Sequence, residues 1–252
     1  MQYRFVRSPA DYSDLASGAV LRSAPGRPAF PVRLASELFQ RARSLWLNGA
    51  TPRRCVLYDP CCGTGYLVTV TALLHGDAIE RVIGSDVDGE VLDVAERNLA
   101  LLTPEGLRKR IEALTEHVER FGKDSHRLAK ASAERLLRQV EARAGTAGPP
   151  EVGLFQADVL DPGALADGLE GRRADIVLAD TPYGVTTRWA AGDTREAAAT
   201  ASRMLSSLHE VLGPGAMVVL VLPKGIRPEA PGFERLQRFR SGHREALFWR
   251  RG

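Results

Sequence analysis

Apolar residues recur along this chain in two rhythms. Some runs are short and nearly continuous in branched apolar residues, as expected of strands buried on both faces. They are Arg54–Asp59, Arg81–Asp86, Val152–Gln156, Asp175–Ala179 and Met217–Leu222. Between them lie stretches whose apolar positions repeat every three or four residues, the period of a helix with one buried face. Leu34, Leu38, Ala42, Leu45 and Trp46 predict a helix over 33–48, with Gly49 and Pro52 as stops. Further helices are predicted at Tyr66–His75, from Asp88 (an N-cap residue) to about Leu102, and at Thr194–Leu212. Two short strands are expected near Leu236–Phe239 and Glu245–Trp249. Strands alternating with helices predict an α/β fold, with a mostly parallel seven-stranded sheet and helices on both faces.

Residues 103–150 interrupt the alternation. Connections in such folds usually run about 2–6 residues, so this insertion must carry its own structure. Leu107, Ile111, Leu114, Val118 and Phe121 form one apolar stripe, and Ala129, Ala133, Leu137, Val140 and Ala144 another. Gly122-Lys123-Asp124-Ser125 between them is a turn with an N-cap candidate, and Pro149-Pro150 closes the segment. The pattern predicts a helical hairpin with arms roughly 27 Å long at 1.5 Å per residue. Two uses are open: a packed decoration with a solvated face, or an arm that touches the substrate. The chain as a whole, 1–252, is expected to form one domain, with 1–53 as an N-terminal extension and 103–150 as the insertion.

Composition narrows the class. With 44% hydrophobic and 26% charged residues in 252, most of the chain is expected to fold around a core rather than stay disordered. No apolar run approaches the roughly 18 residues of a membrane span. The first 30 residues lack the apolar core of a secretory signal, so a cytoplasmic location is expected. Cys55, Cys61 and Cys62 are too few and too close together for a disulfide framework and make a poor zinc site. The five histidines have no metal-ligand spacing, so no metal is expected. The net charge of +3 conceals a partition: +6 over 1–54, −8 over 55–223 and +5 over 224–252. Basic flanks around an acidic centre suggest a polyanionic partner. Arginine outnumbers lysine 30 to 4, and its planar fork suits phosphate.

The strongest chemical signal is Asp59-Pro60-Cys61-Cys62-Gly63-Thr64-Gly65, placed after a strand and before a helix. Gly63 and Gly65 permit a tight turn and close backbone approach to a ligand. Asp86 ends the next strand 21 positions after Gly65, near the spacing at which an acid meets ribose hydroxyls in nucleotide-binding βαβ units. A dinucleotide loop would have Gly or Ala where this chain has Val68, which counts against NAD. An acid at Asp59 is well placed for a cationic amine. S-adenosylmethionine carries an ammonium, a sulfonium and a ribose, and no phosphate.

At these residues the chain resembles the class I S-adenosylmethionine-dependent methyltransferases. The resemblance implies their Rossmann-like fold and a cofactor site at Asp59, Cys61, Gly63, Thr64, Gly65 and Asp86. It also matches Asp158, after the third strand, to the family's acid near the adenine amine. The segment Asp180-Thr181-Pro182-Tyr183-Gly184 ends the fourth strand. It is similar to the (Asn/Asp)-Pro-Pro-(Tyr/Phe) loop of methyltransferases that act on exocyclic amines of nucleobases. Asp180 and the Thr181 carbonyl are suited to accept the amine hydrogens, Pro182 to stiffen the turn, and Tyr183 to stack on an extruded base. Thr181 stands where that family has a first proline, so a less rigid loop is expected. No cysteine lies near 180–187, so pyrimidine C5 methylation through a thiolate is not expected.

Within the family, both loops and the long insertion are similar to the rRNA methyltransferases of avilamycin resistance. This likeness implies methylation of a guanosine in large-subunit ribosomal RNA, with resistance to an orthosomycin antibiotic. Arg22, Arg27 and Arg33, along with Arg188 and Trp189 after the catalytic loop, are the candidate RNA contacts. A monomer is expected. Other readings remain open from the residues alone: a side-chain amide methyltransferase, a nicotinamide-dependent reductase, or a non-catalytic RNA-binding protein.

Overall fold

The computed structural model describes residues 3–8, 10–16, 18–145, 148–181 and 194–252. The strands are β1 Cys55–Asp59, β2 Ile79–Asp86, β3 Glu151–Gln156, β4 Ile176–Asp180, β5 Met217–Pro223, β6 Phe233–Ser241 and β7 Arg244–Arg251. They form one seven-stranded sheet in the order β3-β2-β1-β4-β5-β7-β6. The first five strands of that order run parallel, and β7 pairs antiparallel with both β5 and β6. The predicted fold class therefore holds. The two C-terminal strands are longer than their apolar pattern indicated, because the edge strand β6 buries little and exposes several arginines.

Side chains alternate across the sheet. On β4, Ile176 and Leu178 enter one core while Val177 and Ala179 enter the other. The first core lies under α1 Val32–Leu47 and α2 Tyr66–His75, and the second under α6 Pro162–Leu169 and α7 Thr194–Val211. Helix α2 is apolar on all sides because it is covered on all sides. Its Thr69 and Thr71 hydroxyls donate to the carbonyls of Gly65 and Leu67, four residues back. Helix α6 has no counterpart among the predicted elements, although Asp161-Pro162 is a start signal. The Asp161 carboxylate accepts from the N–H groups of Gly163 and Ala164.

Helix α3 Gly89–Leu99 starts where predicted, with the Asp88 side chain accepting from the Glu90 N–H. The insertion is a hairpin, α4 Pro104–Phe121 and α5 Asp124–Ala144. Two details differ from expectation. No side chain caps α5, whose N-cap position is Lys123, and the buried stripe of α5 runs through Leu136 rather than Leu137. The hairpin packs into the first core through Leu107, Leu114, Ala133, Leu136 and Val140. It also braces the N-terminal extension. Arg110 donates to the carbonyls of Ala19 and Val20, and Arg135 pairs with Asp14.

The chain winds outward from β1 to β3 and then returns to place β4 on the other side of β1. Between the carboxyl ends of β1 and β4 the helices part, which is where open α/β sheets hold ligands. Asp59 and Asp180 are the last residues of those two strands.

Candidate active site

A cleft opens at this point, lined by Asp59, Cys61, Cys62, Gly63 and Thr64 of the first loop, by Asp180 and Thr181, and by Arg27, Phe30 and Arg244. The loop keeps its shape through its glycines. Gly63 and Gly65 have φ of 53° and 68°, in the left-handed region. A Cβ on Gly65 would stand 3.2 Å from the backbone and side chain of Ala95, so this glycine lets α2 begin tight against α3. The Gly63 N–H donates to Asp86 Oδ2 at 2.8 Å, and the Cys61 N–H donates to Asp59 Oδ1 at 3.0 Å.

The electrostatics are lopsided. Burial pushes the Asp59 carboxyl well above its ordinary range, and the carboxylates of Asp86 and Asp180 push it further. Asp59 and Asp180 line the cleft, with Asp86 just behind it, and the buried Asp59 carboxylate is best satisfied by a cation. Burial, and after it the carboxylates of Asp59 and Asp86, raise the thiols of Cys61 and Cys62, so neither supplies a thiolate. A sulfonium-bearing ligand with an ammonium group fits this donor set. Among the described residues no His, Cys, Asp or Glu cluster could hold a metal ion.

Asp86 is nearly covered. Arg27 reaches over it from the N-terminal extension, with Nη1 3.7 Å from Asp86 Oδ2 and Nη2 2.8 Å from Asp88 Oδ2. Two arginines expected to meet RNA therefore have internal partners. Arg27 sits on the acids, and Arg33 donates to the carbonyls of Val6 and Arg7 while stacking on Tyr3. Arg22 is fixed by its backbone, whose N–H donates to Asn98 Oδ1 at 2.7 Å. The Asn98 amide also donates to the carbonyls of Arg22 and Thr64, tying the extension to the glycine loop. Asn98 is not among the residues predicted for the site. Its signal was a polar residue on the buried face of α3, in step with Val91 and Ala95.

Asp158 is exposed and does not line the cleft. Its Oδ1 accepts from the Leu160 N–H at 2.9 Å, which shapes the turn after β3. Thr181 is firmer than expected, because its N–H and its hydroxyl both donate to the Val221 carbonyl. That second bond anchors the end of β4 to β5 where a proline would have stiffened the chain. Pro182, Tyr183, Arg188 and Trp189 lie outside the described residues.

The site also contains a group that the sequence did not single out. Arg244, the first residue of β7, places Nε 3.9 Å from Asp180 Oδ1 and its guanidinium carbon 5.3 Å from the Phe30 ring centroid. Nothing in the local sequence marks it, since its position depends on β7 pairing with β5.

Comparison with known proteins agrees with this architecture. A family model described as rRNA methyltransferase AviRa matches residues 1–244. A 23S rRNA (guanine(2535)-N(1))-methyltransferase of Streptomyces viridochromogenes is 43% identical over 248 residues, covering 98% of this chain and 95% of the relative. Two solved structures of the rRNA methyltransferase aviRa from the same organism superpose with TM-scores of 0.88 and 0.87, at 40% and 41% identity. Each alignment covers 99% of this chain and 96% of the other.

Proposed function

The chain belongs to the AviRa family of rRNA methyltransferases, and from that premise we propose that it transfers a methyl group from S-adenosylmethionine to N1 of a guanine in 23S ribosomal RNA. The supporting observation is the cleft itself, in which Asp59, Gly63, Asp180 and Arg244 face one space at the switch point of the sheet. When bound, S-adenosylmethionine supplies an electrophilic methyl on a cationic sulfur. Asp59 and the glycine loop would hold its methionine part, and Asp86 its ribose.

Guanine N1 carries a hydrogen at neutral pH, so its lone pair is not available until that proton leaves. Asp180 is the acceptor for it, and the Thr181 carbonyl accepts from the neighbouring exocyclic amine. As N1 loses its proton, negative charge gathers on O6 of the base. Arg244, beside Asp180, is placed to meet that charge. With S-adenosylmethionine bound, the freed nitrogen pair would take up the methyl group, and the carbon–sulfur electrons would return to sulfur. Positioning and charge carry this reaction, and no covalent enzyme intermediate is needed.

The test is incubation of methyl-labelled S-adenosylmethionine with deproteinised 23S rRNA and with intact subunits, followed by primer extension. A methyl on N1 blocks the Watson–Crick edge, so a stop at one guanine is expected. Label only in protein, or none, would overturn the reading. Modification at that base is further proposed to protect ribosomes against an orthosomycin of the avilamycin type. Expression in a sensitive bacterium should raise the inhibitory concentration, and the Asp180→Ala variant should not.

A further inference from the structure

Successive residues of β7 face opposite sides of the sheet. Arg244 lies over Phe30 beside the cleft, and Ala246 and Phe248 follow it into the first core. Glu245 takes the other side with Leu247 and Trp249. There it is 1% exposed, and three arginines converge on it. Arg227, from the loop after β5, pairs with Oε2. Arg240 Nε donates to Oε1 at 2.8 Å, and Arg238 Nε stands 3.5 Å from the same oxygen. Burial alone would raise the Glu245 carboxyl, but the guanidiniums of Arg240 and Arg227 hold it below its ordinary range.

One carboxylate does not need three guanidiniums, and the surplus is two positive charges. The arginine side chains are 42–51% exposed, so the buried acid fixes their inner ends while their remaining N–H groups reach solvent. Lys224 and His243 are exposed alongside, joined through their backbones. The cluster stands at the same edge of the sheet as Asp180, since the start of β7 pairs with the end of β5. An arginine triad held in register, cationic and open to water, suits the oxygens of phosphodiesters.

We infer that the Glu245-centred arginine cluster is a docking surface for the RNA backbone next to the target nucleotide. This rests on the proposed RNA methylation and says which face of the protein the RNA follows. In this arrangement Arg244 meets the base on one side of the strand, while its neighbour Glu245 organises the phosphate contacts on the other.

The test is the salt dependence of binding to deproteinised 23S rRNA. The variant Arg227→Gln/Arg238→Gln/Arg240→Gln/Glu245→Gln removes the cluster without leaving a buried charge unpaired. Each lost phosphate contact should flatten the log–log salt slope by roughly 0.7–0.9. A flattening of about two, with at least a tenfold loss of affinity near physiological salt and unchanged binding of S-adenosylmethionine, is expected. The single variant Arg238→Gln leaves the two closer partners on Glu245. It should flatten the slope by about one contact whether or not the quadruple variant folds. Arginine-to-lysine replacement at the three positions should keep most of the slope. An unchanged slope in Arg238→Gln, or binding to poly-glutamate in preference to RNA, would overturn the assignment. If the unaltered protein transfers no methyl to RNA, the underlying reading fails instead. Transfer with an unaltered slope removes this inference alone.

Discussion

Arg244 and Asp180 meet at the rim of the cleft, 3.9 Å apart between Nε and Oδ1, though 64 residues separate them in the chain. An acid and a cation set side by side match two adjacent polar groups on the Watson–Crick edge of guanine, N1–H and O6. A base and an oxyanion partner are what N1 methylation requires.

If Arg244 stabilises the charge on O6, its loss makes N1 harder to deprotonate. Arg244→Gln should lower the transfer rate at neutral pH by about 10²-fold, the usual scale for one such donor. The rate should recover in part as the pH rises, because hydroxide then does what the cation no longer does. S-adenosylmethionine affinity should change only a few-fold. A loss uniform across pH would mean that Arg244 merely holds Asp180 in place.

Asp59 gives a second pH signature. Its carboxyl is raised by burial and by the neighbouring acids, while a bound cation favours the ionised form. Affinity for S-adenosylmethionine should therefore fall as the pH is lowered through the raised value, and binding there should release protons. Calorimetry in buffers of different ionisation heats measures the release. Asp59→Asn should bind more weakly and lose the pH dependence. A wild-type affinity that does not fall on acidification would leave the Asp59 carboxylate no part in holding the cation.

Arg27 competes for Asp86. The pair is partly exposed, so its strength is of the order of 0.2–1 kcal/mol. Arg27→Ala should tighten S-adenosylmethionine binding by up to about fivefold, read by calorimetry. Weaker binding would instead make Arg27 part of the wall that holds the cofactor.

Glu37 tests the extension. It is fully buried, accepts from the backbone N–H groups of Arg4, Phe5 and Val6, and pairs with Arg41. Burial alone would raise its carboxyl, but those N–H groups and Arg41 bring it below the ordinary value. A depressed acid contributes stability that is present above its unfolded pKa and is lost as the pH falls through the folded one. Glu37→Gln should cost about 3 kcal/mol at pH 7, the scale for breaking a buried, hydrogen-bonded charge. The gap from wild type in denaturant melts should close in acid. A constant gap at all pH values would place the effect in packing.

The order of most elements, the parallel class of the sheet, the hairpin and the first loop were legible in the sequence, because each depends on local periodicity or on residues close along the chain. The Asp59–Gly65 loop reads as a ligand turn from its own glycines, and Asp86 lies one βαβ unit away. Helix α6 was also legible through Asp161 and Pro162, but its eight residues are too few for a clear period. Burial beyond these elements was legible only in outline, as the one-residue displacement from Leu137 to Leu136 shows.

Tertiary structure decided which charges face which. Composition alone could not separate the arginines that serve the fold from those that face outward. Arg33 is bound to carbonyls near the N-terminus, Arg27 covers the acid that should meet a ribose, and Arg227, Arg238 and Arg240 gather on one buried glutamate. Arg244 reaches Asp180 only because β7 runs antiparallel beside β5 and brings its first residue to the carboxyl edge of the sheet. Local sequence specifies elements through periodicity and caps. Electrostatic partners are set by the pairing of strands far apart in the chain, and no local pattern encodes that pairing.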